Sequence, residues 1–160
     1  MEYIWVLVVL ALVLSPIIGL KSSPRQKKQE NLRRCASAAG LHVKIARRPD
    51  ARDDERDLDS ISYLLPWGNS APEGLRPWVL THNNRRGMEA QWPNWRWFQG
   101  PAQPGIEDTL EQVLPALPAG VTGLVVSRQG LSIHWLEQGE EADVSAIVSA
   151  LKTLRETLQK

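Results

Sequence analysis

Cysteine is nearly absent from this 160-residue chain, in which Cys35 stands alone. A single cysteine can form neither an internal disulfide nor a zinc site built on several cysteines, so a disulfide-stabilised secreted domain and a cysteine-ligated zinc centre are excluded. The sequence also lacks a Gly-rich phosphate loop, a His-Glu-x-x-His motif and a Gly-x-Ser-x-Gly motif. We therefore predict a protein that is not an enzyme, without catalytic residues, cofactor or metal.

Charge is missing from residues 3–20, which are mostly Val, Leu and Ile. A helix of this length spans about 27 Å, close to the thickness of the hydrocarbon core of a bilayer. Only one such run exists, so a multi-span transporter is excluded. A cleaved signal peptide would need a basic start and a small-residue cleavage site, whereas Glu2 precedes the run. The pattern favours a retained transmembrane anchor over 1–20.

A basic segment, which we call the basic collar, follows at residues 21–34 with six basic residues and one acid. Because Lys and Arg resist translocation, the N-terminus is predicted outside and the rest of the chain in the cytoplasm. Lipid headgroups are the expected partners of four of these side chains, namely Lys21, Arg25, Lys27 and Lys28. Nucleic acid is the alternative partner of such a segment, and we do not expect it beside a bilayer.

Hydrophobic periodicity and turn-forming clusters predict helices alternating with groups of strands. The helices are predicted at 24–39, 106–117 and 143–158, the last with Asp143 as its N-cap. The strands are predicted at 41–45, 61–67, 77–82, 92–99, 121–127 and 131–137, the last two forming a hairpin.

Runs of neighbouring strands favour an antiparallel sheet with helices on one face. The predicted fold class is therefore α+β, with a single N-terminal transmembrane helix ahead of a small antiparallel sheet domain. The predicted organisation is the anchor at 1–20, a basic juxtamembrane helix at 21–40 and a cytoplasmic domain at 41–160. Residues 47–60, rich in charge and poor in apolar side chains, are predicted to be a solvated or disordered linker.

Three histidines, His42, His82 and His134, fall on three predicted strands without the spacing of metal ligands. We expect each to be solvated or hydrogen-bonded, with His134 on the less buried face of its strand. Cys35, on a predicted helix, is expected to be a small packing residue because no base accompanies it.

Tryptophan is the unusual abundance, with seven residues. One interpretation is that the rings supply core area. The other is a partner-binding surface of tryptophan and arginine, both of which are enriched at interface hot spots. The residues of this Trp–Arg surface are Arg85, Arg86, Trp92, Trp95, Arg96 and Trp97.

The beginning of the chain, an apolar run followed by Ser23-Pro24-Arg25-Gln26-Lys27-Lys28, resembles the YajC family of Sec translocase accessory subunits. The matching positions are Pro24, Gln26, Lys27 and Lys28. The Gly-rich β domain of that family is not found beyond them. The remainder resembles small bacterial membrane proteins of unassigned function, through Leu117, Pro118, Val121, Trp135 and the helix after Asp143.

The residues and the resemblance together predict a bacterial inner-membrane accessory protein whose cytoplasmic domain binds a protein partner, such as a component of the translocase. A membrane-tethered enzyme with an unrecognised active site is the alternative. Trp rings on the surface would favour the first hypothesis, and a deep polar pocket lined by His82 or His134 would favour the second.

Overall fold

A computed structural model of the chain describes Tyr3 and residues 23–160. The chain divides into two compact units, residues 1–31 and residues 32–160, with the boundary inside the first described helix. That helix, α1 (Pro24–Ala38), begins after Ser23, whose hydroxyl accepts a hydrogen bond from the Gln26 backbone N–H at 3.2 Å. It ends at Ala38, and Gly40, two residues further on, adopts the left-handed backbone conformation (φ +89°) typical of the residue that follows a helix.

The rest of the described chain is an α+β domain with one antiparallel sheet. Its strands are β1 (His42–Arg47), β2 (Asp59–Pro66), β3 (Trp78–His82), β4 (Met88–Glu89), β5 (Trp95–Gln99), β6 (Val121–Ser127) and β7 (Gly130–Trp135). Its helices are α2 (Glu107–Val113), which is followed by a 3-10 turn (Leu114–Ala116), and α3 (Glu141–Leu158). The order of the strands across the sheet is β1-β2-β7-β6-β3-β5-β4.

The central hairpin β6–β7 is confirmed as the sequence predicts it. Only two residues separate the strands, and Gly130 closes the turn with φ +153°. A Cβ atom at Gly130 would overlap the carbonyl of Leu65 on β2, so only glycine allows β2 to approach here. The hairpin lies between β2 and β3 and thereby joins the two halves of the sheet.

The core lies on one face of the sheet. Fully buried side chains of β2, β7 and β6, such as Tyr63, Ile133 and Leu124, form one cluster with the apolar stripe of α3. That stripe follows the helical spacing predicted for it, from Val144 to Leu158. The opposite face carries a mixture of polar and apolar side chains, and its geometry is described below.

The membrane part of the predicted fold class is corrected. In the part of the chain that the structure describes, no helix has both the length and the apolarity needed to cross a membrane. The physical reason is composition: α1 carries basic side chains along its length, and α3 has a polar face. The single-pass description is wrong for the described chain, and the predicted anchor at 1–20 lies outside the described residues except for Tyr3.

Several boundaries differ from their predictions. The strand predicted at 92–99 begins at Trp95, the strand predicted at 131–137 ends at Trp135, and the last residues of the helix predicted at 106–117 form a 3-10 turn.

Two further differences concern local hydrogen bonding. Arg47 and residues 59–60 belong to strands, which shortens the loop predicted at 47–60 to residues 48–58. Asp143 is not the N-cap of α3. It is the third helical residue, and its carboxylate accepts the backbone N–H of the N-cap Glu140 at 2.7 Å in a reciprocal capping box.

The Asp143→Ala variant is expected to lower the free energy of unfolding by about 1 kcal/mol, because it leaves the Glu140 N–H without its partner. Chemical denaturation measures this change. Lys152→Ala, an exposed change in the same helix, is the matched control and should alter stability by less than about 0.5 kcal/mol. Equal effects of the two variants would contradict the role of the capping box.

Candidate functional site

The tryptophans of the predicted Trp–Arg surface lie mainly in the core. Trp92 and Trp95 are 8% and 6% exposed. Trp97 is half-buried and packs edge-on against Trp78 and Trp92, with ring centroids 5.5 and 6.1 Å apart. These rings therefore supply core area at the β3–β5 end of the sheet.

The arginines of the same surface are separated from one another. Arg85 is exposed, whereas Arg96 donates to the Glu89 carboxylate at 2.8 Å. Arg86 pairs with Glu55, and this hydrogen bond lowers the pKa of Glu55 and raises that of Arg86. What remains of the Trp–Arg surface is Arg85, Arg96 and part of Trp97.

Two exposed apolar side chains that the sequence analysis missed lie beside this remainder. Met88 on β4 is 61% exposed and Phe98 on β5 is 38% exposed. β4 has only two residues, too short for a periodicity signal. Met88 lies opposite Trp97, whereas Phe98 shares the other face of β5 with Arg96, so these exposed groups are divided between the two faces of the sheet. Binding of Arg85, Arg96 and Trp97 to a partner stays a prediction.

The predicted lipid-contacting residues lie in the first unit. Arg25, Lys27 and Lys28 are exposed in the first turns of α1, and Lys21 lies outside the described residues. Contact with lipid stays a prediction.

The loop of residues 48–58 is held by charges rather than by apolar contacts. Arg48 donates to Glu55 at 2.7 Å, and Asn84 donates to Asp50 at 2.8 Å from the loop that follows β3. Arg86 donates to the Asp50 carbonyl at 2.9 Å. These bonds hold the loop against the polar face of the sheet, where Pro49 packs over Gly123.

His134 lies under this cover. It is 4% exposed, although the alternation of β7 predicts it on the less buried face, and Gly123 beneath Pro49 is its neighbour on β6. Its Nδ1 atom lies 2.6 Å from the Ser60 hydroxyl. Burial lowers the pKa of His134 to about 4, with a smaller opposite effect from Asp50, so the ring is neutral at pH 7.

The Ser60–His134 pair does not have the arrangement of a catalytic nucleophile. A histidine base is normally oriented by a third group and has a pKa near the working pH. In the described chain no carboxylate bonds the other ring nitrogen, and a pKa of about 4 makes the imidazole a weak base. The pair is suited to hydrogen bonding rather than to proton abstraction.

His82 is also held by structural contacts. Its ring stacks on Trp95 with centroids 4.6 Å apart, and its Nδ1 atom lies 3.1 Å from the Val121 carbonyl. No group of three or more potential metal ligands occurs among the residues that the structure describes. Cys35 is a half-buried free thiol packed against the core.

A buried ion pair that the sequence did not indicate joins α1 to the end of β7. The side chain of Glu137 is 1% exposed and accepts two hydrogen bonds from Arg33, both at 2.7 Å. Tyr63 donates a third at 2.9 Å, and burial together with Glu137 raises the pKa of Tyr63. This network is structural, since its donors satisfy the carboxylate.

Strand β1 lies at one edge of the sheet, and its outer side has no neighbouring strand among the described residues. Among the strands that the structure describes, β1 has one neighbour, β2, and the N–H of Arg48 continues their ladder by donating to the Leu58 carbonyl at 2.6 Å. Since hydrogen-bonded pairs alternate along an antiparallel ladder, the backbone groups of Val43, Ile45 and Arg47 point away from β2. Ile45 is 69% exposed, the highest value among the large apolar side chains of residues 32–160.

Comparison with known proteins gives no relative. No family model matches the chain, and searches of curated proteins and of solved structures find no significant match. The resemblance to the YajC family therefore stays a prediction, and function has to be argued from the geometry.

Proposed function

We propose that the α+β domain is a protein-interaction module that takes up an extended segment of a partner along β1. The supporting observation is the free outer edge of β1, six residues long, with Ile45 exposed on it. An extended segment added to such an edge forms main-chain hydrogen bonds, and its alternate side chains give specificity. The opposite edge of the sheet, β4, offers only two residues.

The charge of β1 favours an acidic partner segment. Lys44 is exposed on β1, which itself contains no acid, whereas Arg47 at its end is half-exposed and already paired with Asp53, so the attraction depends mainly on Lys44. Two copies of β1 placed side by side would bring together like charges, which is destabilising across strands. A segment carrying Asp or Glu would instead be attracted.

A synthetic peptide that alternates Glu and Val provides the test. We expect it to slow hydrogen exchange of the Ile45 amide, and a Lys–Val peptide to bind at least tenfold more weakly, a difference of about 1.4 kcal/mol. Ile45→Pro removes the backbone N–H of residue 45, which points away from β2, and leaves the hydrogen bonds between β1 and β2 in place. It should weaken binding of the Glu–Val peptide about tenfold. Lys44→Glu should reverse the preference between the two peptides.

Arg85→Glu is the control for the competing surface. It changes an exposed side chain of the Trp–Arg surface and should leave binding of the Glu–Val peptide unchanged. Loss of binding in Arg85→Glu with retention in Ile45→Pro would move the docking site to the Trp–Arg surface. Absence of protection at Ile45 would make the strand-addition proposal wrong.

A further inference from the structure

The polar face of the sheet carries a groove with a volume of about 210 Å³. Lys44 and Arg47 are the two charged side chains among the residues that line it, and no carboxylate is among them. Arg47 already pairs with Asp53 of the neighbouring loop of residues 48–58, so Lys44 is the cation that the groove offers to a ligand.

The side chains that line the groove form two rows, each made of residues directly opposite one another on adjacent strands. In the first row, Lys44 lies opposite Ser62 and Ser62 lies opposite His134, on three adjacent strands. Directly opposite side chains in an antiparallel sheet have Cβ atoms about 5 Å apart, so cation, hydroxyl and imidazole form one polar line.

The second row is apolar except for one hydroxyl. Leu64 lies opposite Ser132, and Ser132 lies opposite Val125, which in turn faces Val79 on β3. All four side chains line the groove. The floor therefore has a polar side and an apolar side.

The hydroxyls of Ser62 and Ser132 lack a protein partner. The two residues are 2% and 7% exposed, and neither hydroxyl makes a hydrogen bond to another of the described residues. Neither oxygen is among the buried side-chain atoms left without a partner, so both hydroxyls open onto the groove and are donors available to a ligand. His134, neutral at pH 7, adds a further ring nitrogen beside them.

We propose that this groove binds a small carboxylate with an apolar body, whose oxygens contact Lys44, Ser62 and Ser132 while its hydrocarbon part lies along Leu64, Val125 and Val79. A carboxylate has two acceptor oxygens and one charge, which one ammonium group and two hydroxyls satisfy. The volume lies below that of sites for drug-sized ligands, so the ligand is small. Lys44 is shared with the proposed strand addition, whereas Ser62 and Ser132 belong to this site alone, because such a ligand has no backbone to pair with β1.

Titration of the full chain with hexanoate, followed by NMR, tests the proposal. We expect saturable shifts at Ser62, Ser132 and His134, and at least tenfold weaker binding in both Lys44→Met and Ser62→Ala. Lys152→Met, which removes an exposed cation from α3, should bind hexanoate as the parent protein does.

Hexanamide and inorganic phosphate are the comparison ligands. Hexanamide lacks the charge and phosphate lacks the apolar body, so each should bind at least tenfold more weakly than hexanoate. Equal binding of hexanamide would exclude recognition of the carboxylate, and equal binding of phosphate would exclude a role for the apolar row. Shifts that do not saturate, or that persist unchanged in Lys44→Met and Ser62→Ala, would overturn the proposal.

Discussion

Replacing Arg33 with methionine is expected to lower the free energy of unfolding by about 3 kcal/mol. The substitution leaves the Glu137 carboxylate buried, with Tyr63 as its remaining hydrogen-bond donor. An unpaired buried charge is among the most destabilising features a single change can create. The expected value lies at the low end of the range for such pairs because Arg33 itself is 41% exposed, so water can approach. Urea denaturation at pH 7 measures it.

A double variant separates lost charge pairing from lost packing. Arg33→Met combined with Glu137→Gln should be more stable than Arg33→Met alone, because the buried charge is gone. Arg25→Met, at an exposed position of the same helix, is the matched control and should change stability by less than about 0.5 kcal/mol. A double variant less stable than the single one would show that the charge of Glu137 is not what the Arg33 side chain compensates.

Acidification is expected to remove roughly 3 kcal/mol of stability between pH 6.5 and pH 4 through His134 alone. Burial lowers the pKa of His134 from 6.5 to about 4 in the folded state. The unfolded chain therefore binds a proton at pH 5 that the folded chain does not. The contribution of His134 is fully present above pH 6.5 and is lost as the pH falls towards 4. The free energy of unfolding, measured by denaturation at each pH, gives this slope.

His134→Gln should flatten the profile between pH 6.5 and pH 4, since glutamine does not titrate there. Asp50 and Lys44 are the charged groups whose fields reach His134, with opposite effects on its pKa. His42→Gln, at an exposed position of β1, is the matched control and should keep the slope of the parent protein. An unchanged slope in His134→Gln would assign the acid sensitivity to other groups.

Elements with strong local patterns could be predicted from the sequence. The β6–β7 hairpin follows from two apolar strands around Arg128, Gln129 and Gly130, and α3 follows from apolar residues at helical spacing. Both signals come from residues close together in the chain, for which periodicity is informative. The α+β class follows from the order of these elements.

The buried polar contacts and the groups that line the groove could not be predicted, because they meet only through the fold. Arg33 and Glu137 are 104 positions apart, and Ser60 and His134 are 74 apart. The row of Lys44, Ser62 and His134 depends on β7 pairing with β2, which no local pattern specifies. For the same reason the sequence could not decide whether Trp92 and Trp95 lie in the core or on the surface, since their burial depends on elements distant in the chain.

The position of the β6–β7 hairpin determines when the domain can fold during synthesis. The hairpin lies between β2 and β3, so the strands translated first have no central partner until residue 135 has left the ribosome. Nascent chains that stop earlier keep the inner edges of β2 and β3 unpaired, which exposes them to aggregation. The domain is therefore completed only after the hairpin and the following α3 have been translated.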